Sequence, residues 1–141
     1  MRVFPDTNVL VSAFTARGLC ANLIELVLKE HELLIGDVVL DEFRAVLRTK
    51  FRMATEPITR AETLLKRHRV VGRPLRTPRV RLADSNDLLV LASAMEARSE
   101  VLVTGDAEIL RVHTGIGRLK IRNPRQCWEL LRGTTPSPPA R

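Results

Sequence analysis

Arg2-Val3-Phe4-Pro5-Asp6-Thr7-Asn8 begins the chain with a short, mostly apolar run that stops at an acid and two small polar residues. A strand buried on both faces reads this way, as an apolar run closed by polar residues. The carboxyl end of such a strand is where open α/β sheets place their ligands. Val101-Leu102-Val103, followed by Thr104-Gly105-Asp106, repeats the arrangement late in the chain. If the two strands are neighbours in one sheet, Asp6 and Asp106 converge. Glu42 and Asp87 then reach the same point from neighbouring helices. Like charges held close repel and raise one another's pKa. A fold tolerates that mainly when a cation sits among them, and hard carboxylate oxygens suit Mg²⁺ or Mn²⁺.

Working outward, the rest of the chain supports an alternation of strands and helices. Val9 to Phe14 reads as a helical turn or two. Ala21 to Lys29 is helical, with Leu23, Ile24, Leu26, Val27 and Leu28 expected to face inward. Glu32 to Ile35 is a second strand, and Gly36-Asp37 opens a helix. There Val39, Leu40, Phe43, Val46 and Leu47 follow the i, i+3, i+4 rule. Glu42 lies at the margin of that apolar stripe. Met53 to Pro57 reads as a turn and Thr59 to His68 as a helix with Leu64 and Leu65 as its apolar contacts. Val70-Val71 reads as a short strand. Asp84-Ser85-Asn86-Asp87 is a strong helix start for Asp87 to Ala97. Glu100 to Val103 and Leu119 to Arg122 are the last strands, with a helical turn at Ala107 to Leu110 between them. Pro124 suits the first position of a final helix ending near Arg132. Residues 133–141 hold three prolines with Ser and Thr and read as a disordered tail. Strands alternating with helices argue for a parallel sheet covered on both faces.

Composition sets the outer limits. A chain of 141 residues, 45% hydrophobic and 28% charged, can build one domain with a real core. Its longest apolar stretch, about Leu88 to Met95, is far below the roughly 20 residues of a membrane span, and no signal peptide is visible. Cys20 and Cys127 lie far apart without metal-ligand spacing, so a reduced, cytoplasmic protein is expected. The net charge is +7. Seven cations and no acid fall between Lys66 and Arg81, which leaves the remainder balanced at 16 against 16. A basic segment in an otherwise neutral chain points to a polyanionic partner, or is simply a solvated Arg-rich loop. His31, His68 and His113 show no motif and read as surface residues. Gly115-x-Gly117 is too short for a phosphate loop. Cys127 and Trp128 read as core.

Four motifs in fixed order carry a family resemblance. Asp6-Thr7-Asn8-Val9-Leu10-Val11-Ser12-Ala13, Asp41-Glu42-Phe43, Asp84-Ser85-Asn86-Asp87 and Val103-Thr104-Gly105-Asp106 together resemble a PIN-domain protein. Asn123-Pro124 and a helix bearing Trp128 resemble the bacterial branch described as toxins of toxin–antitoxin pairs. The resemblance implies a Rossmann-like three-layer α/β sandwich with a central parallel sheet, formed by residues 1–132 as a single domain. It implies a metal-dependent ribonuclease in which Asp6, Glu42, Asp87 and Asp106 hold Mg²⁺ or Mn²⁺. Asn8 and Thr104 match polar residues that support the site. Asp84 shares the claim of Asp87, Asp41 lies beside Glu42, and Glu108 either backs the site or is a plain solvated residue. RNA is the implied substrate and a small antitoxin the implied partner, with a homodimer among the assemblies open to the chain and no membrane.

Such a site needs no histidine base, because a carboxylate-held ion can acidify water and neutralise a phosphodiester. Aromatic residues at 4%, with no Tyr, argue against a base-stacking platform. RNA contact would then rest on Arg73, Arg76 and Arg79 against phosphate. A PIN-like RNA-binding or interaction protein without catalysis is the main alternative. A response-regulator-like module ranks below it, since that needs a lysine at the end of a late strand and Lys120 lies inside one.

Overall fold

Five parallel strands form the centre of the protein, seen in a computed structural model that describes residues 1–112 and 117–133. They are β1 (Arg2–Pro5), β2 (Glu32–Gly36), β3 (Arg69–Val71), β4 (Val101–Val103) and β5 (Lys120–Arg122). Their order in the sheet is β3-β2-β1-β4-β5. The first half of the chain therefore builds outward from β1 in one direction, and the second half in the other. Between β1 and β4 the order reverses, and a crevice opens beyond the carboxyl ends of the two strands. Phe4 pairs with Leu102 and Pro5 with Val103, so the two strands end level.

Among the described residues, seven helices cover the sheet: α1 (Thr7–Thr15), α2 (Leu19–Glu30), α3 (Asp37–Thr49), α4 (Thr55–Lys66), α5 (Ser85–Glu96), α6 (Ala107–Leu110) and α7 (Pro124–Gly133). The three inner strands show the apolar runs of strands covered on both faces. Val3, Phe4, Leu34, Ile35, Val101, Leu102 and Val103 are fully buried. Helix α3 buries Val39, Leu40, Phe43 and Leu47 as its periodicity predicts, which leaves Glu42 half-buried beside Phe43. Helix α5 packs through small residues, among them Ala92, Ser93 and Ala94.

Several expectations are corrected. Helix α4 begins at Thr55, inside the stretch that reads as a turn. Pro57 lies in its first turn, where a missing N–H breaks no helical bond. Its inward residues are Ile58, Ala61, Glu62 and Leu65, while Leu64 is exposed. Leu28 on α2 is likewise exposed. Trp128 is only half-buried and carries the Arg132 guanidinium over its ring, whereas Cys127 is fully buried. His31 is half-buried and accepts a hydrogen bond at Nδ1 from the N-terminal ammonium at 2.9 Å. Burial first, then that ammonium, lowers its pKa. Both cysteines are free. Gly133 closes α7 rather than beginning a tail. The remainder of the expected tail, with His113 and Gly115, lies outside the described residues. Among the described residues, no single helix is long and apolar enough to cross a membrane.

Candidate functional site

Two backbone hydrogen bonds carry the sheet one step beyond its strands. The Asp6 N–H donates to the Val103 carbonyl at 2.8 Å, and the Thr104 N–H to the Arg122 carbonyl at 3.0 Å. Asp6 and Thr104 are thereby brought side by side at the switch point. The Thr104 hydroxyl donates to Asp6 Oδ2 at 2.6 Å, and the Thr7 N–H donates to Oδ1 at 2.8 Å. Asp6 is only 5% exposed, so these two bonds replace the water its carboxylate has lost. Thr104 Oγ1 also accepts the Asp106 N–H at 3.0 Å, so one hydroxyl ties the two acids together. Asp106 caps α6, where Oδ1 accepts the N–H groups of Glu108 and Ile109 at 2.8 and 3.2 Å. Asn8 Oδ1 accepts the Gly105 N–H at 3.3 Å, a second link between the two loops.

A single asparagine bonds two further acids, Glu42 and Asp84. Asn86 Nδ2 donates to Glu42 Oε2 at 2.9 Å, bridging α5 to α3. The Asn86 N–H donates to Asp84 Oδ1 at 2.8 Å, so Asp84 is the N-cap of α5. Asp84 is exposed, whereas Asp87, inside the first turn, is half-buried. The two residues thus differ in burial and in bonding. Asp6, Glu42, Asp84, Asp87, Asp106 and Asn8 all line one cleft of about 480 Å³.

The electrostatics follow from burial and crowding. Burial, and after it the charges of Asp106, Asp84, Asp6 and Glu42, pushes the Asp87 carboxyl up to about 7. Asp6 is also raised, chiefly by burial, with the Thr104 and Thr7 hydrogen bonds opposing. Sequence reasoning expects mutual repulsion to lead, but desolvation is the larger cause at both groups. Among the described residues, no three carboxylate, imidazole or thiol groups already stand in an arrangement that would hold an ion. The donor chemistry nevertheless fits a hard divalent cation. Five carboxylates share the cleft, one retains its proton to near neutrality, and the buried Thr7 Oγ1 at the cleft wall has no hydrogen-bond partner among the described residues.

The other expected residues lie elsewhere. Asp41 is exposed and paired with Arg44 and Arg73, so Glu42 is the α3 acid of the cleft. Glu108 is exposed and shares a different hollow with Arg81 and Arg111. Arg73 lies near Asp41 at 3.9 Å, but the Leu75 and Arg76 N–H groups are held by Glu96, at the far end of α5. Glu96 is about 13 Å along the helix from Asp87 at 1.5 Å per residue. Arg79 is exposed in the same loop. Asn86, Lys50 and Phe51 line or brace the cleft without having been expected there. Asn86 sits inside the motif that opens α5, but nothing local reveals that its amide reaches α3.

A family model described as a PIN domain matches residues 2–108, a span that contains all four acids. No curated protein matches the chain. Among solved structures, the chain resembles one from VapBC2 of Rickettsia felis, bound to a DNA fragment from their promoter. Identity is 20% and the TM-score 0.66, over 87% of this chain and 98% of that one. It also resembles a PilT N-terminus domain protein of the archaeon Sulfolobus solfataricus P2, at 14% identity and a TM-score of 0.54, over 100% and 99% of the two chains.

Proposed function

Because the chain belongs to the PIN-domain family, we propose that it is a divalent-metal-dependent ribonuclease and the toxin of a toxin–antitoxin pair. One observation carries the reading: Asp6, Glu42, Asp87 and Asp106, from four separate elements, line one cleft at the switch point of the sheet. Asp6, Glu42, Asp87 and Asp106 would hold the ion, Mg²⁺ or Mn²⁺. When bound, such an ion supplies Lewis-acid polarisation of a phosphodiester and acidifies water for the attack.

The chain's own residues set the conditions. Thr104 and Thr7 fix the orientation of Asp6. Both helix-cap bonds of Asp106 fall on Oδ1, so its second oxygen is the one that remains to ligate. Asn86 engages Oε2 of Glu42 in the same way and leaves Oε1. Asp87, its carboxyl pushed up to about 7 without metal, would have to give up its proton to serve as a ligand, so loading the site would release a proton. An antitoxin partner is supported by the likeness of the fold to the VapBC2 chain and by the motif resemblance.

The test is cleavage of a labelled single-stranded RNA with Mn²⁺, against an EDTA control. The wild-type protein cleaves only with the ion, and Asp6→Asn and Asp106→Asn each lose at least 100-fold in rate while melting cooperatively. A variant retaining near wild-type activity is not a ligand. A wild-type protein that binds RNA without cutting it would favour the non-catalytic alternative. Inhibition of cleavage by the product of a neighbouring short reading frame tests the partner.

A further inference from the structure

We propose that Phe51 is the stacking surface for a nucleobase flanking the phosphate that the carboxylates engage; this rests on the ribonuclease reading. Phe51 is 47% exposed, whereas Phe4 and Phe43 are fully buried and Phe14 packs edge-on against Phe43. It lines the same cleft as the acids. Val11 and Val46 continue its apolar wall, and Lys50 stands beside it. The cleft is therefore lined by carboxylates, by an aromatic ring and by a cation. A nucleotide has matching parts: a phosphate for the ion and the lysine, and a flat apolar face for the ring. The volume, about 480 Å³, lies in the range of small-ligand sites.

The ring is held outward by the way α3 ends. The N–H groups of Lys50 and Phe51 both return to the Val46 carbonyl, at 2.9 and 3.4 Å. Arg52 then adopts a left-handed conformation with φ of 49°, uncommon for a residue other than glycine. The Met53 N–H closes back on the Leu47 carbonyl at 3.0 Å. This reversal carries the chain toward α4 and leaves Phe51 on the cleft rather than in the core. Scarcity of aromatics argues against an extended platform, but one placed ring is enough for one base. Base–aromatic stacking tolerates any sequence and weakens binding by roughly ten-fold when removed.

The test makes the ring its own reporter. Phe51→Trp is combined with Trp128→Phe, so that the single indole lies at position 51, in an Asp106→Asn background that prevents cleavage. The protein is titrated with a mixed-sequence single-stranded RNA octamer, with an abasic octamer of equal charge, and with an apolar peptide. Expected is saturable fluorescence quenching by RNA and none by the abasic strand. Phe51→Ala in the same Asp106→Asn background should bind RNA about ten-fold more weakly with its affinity for the abasic strand unchanged. Equal quenching by both strands, or unchanged RNA affinity in Phe51→Ala, overturns the proposal. Quenching by the peptide alone would also overturn it and make the wall a protein-docking surface. If wild type cleaves RNA but the indole is not quenched, only the stacking role fails. If wild type neither binds nor cleaves RNA, the ribonuclease reading fails and the stacking role with it.

Discussion

Asp87 shows how a single residue links the cleft to stability. Its carboxyl titrates near 7 when folded, well above the ordinary value near 3.9. The native state therefore holds this proton more tightly than the unfolded chain does. Stability from that difference is fully present below about pH 4 and is lost as pH rises toward 7. Asp6, also raised, adds in the same direction. With EDTA present, the melting temperature should fall between pH 4 and 7, and Asp87→Asn should flatten that fall and melt higher near neutrality. With Mn²⁺, wild type should gain more than the variant, because a ligand that binds only the native state stabilises it by mass action. Melting curves of both proteins across pH, with and without the ion, check this; equal gains would mean that Asp87 does not share the site. The four acids were legible in the sequence, since Asp6 and Asp106 follow apolar runs, Asp87 lies at a helix start and Glu42 at the margin of an apolar stripe. Phe51 was not, because nothing in Lys50-Phe51-Arg52 announces that the chain turns back there with its ring outside.

Elements meet through two contacts with measurable consequences. Glu62 on α4 is nearly buried and takes a two-pronged contact from Arg44 on α3, with Nε at 2.6 Å and Nη2 at 2.9 Å. Hydrogen bonds from that guanidinium hold the Glu62 carboxyl below its ordinary range. Its stabilising effect is thus present above about pH 4 and lost as pH falls through the lower folded value. Glu62→Gln should cost about 1.5–3 kcal/mol at pH 7, read by urea unfolding, and much less at pH 3. Gly36, between β2 and α3, is a case of close approach: a Cβ there would stand 2.6 Å from Phe4 Cζ. Phe4 is fully buried and cannot swing away, so Gly36→Ala should destabilise by about 1–3 kcal/mol. Adding Phe4→Leu should cost less than the sum of the two single changes, which a double-mutant cycle measures. The inner strands were legible as unbroken apolar runs, and most helices by their period or their starting residues. The start of α4 was not, since Pro57 punctuates like a turn and only its position in the first turn makes it harmless.

Over the whole molecule, the surplus charge is distributed differently from its grouping in sequence. Lys66 to Arg81 gathers seven cations, but Arg73 pairs with Asp41 on α3 while the Arg76 backbone N–H is held by Glu96 at the end of α5. If RNA passes over this face, changing Arg73, Arg76 and Arg79 to Ala should reduce the slope of log affinity against log salt by up to about 2, at 0.7 per lost contact. Arg73→Ala alone should account for more of it than Arg76→Ala, and binding isotherms at several salt concentrations decide. The parallel pairing of β1 with β4 has one more consequence, in the order of synthesis. The first acid of the cleft is made 98 residues before Thr104, whose hydroxyl orients it, and the strand that anchors Thr104 ends at Arg122. A nascent chain carries every early part of the cleft and still lacks the centre. The cleft thus stays incomplete for most of the chain's synthesis and closes only as β5 emerges.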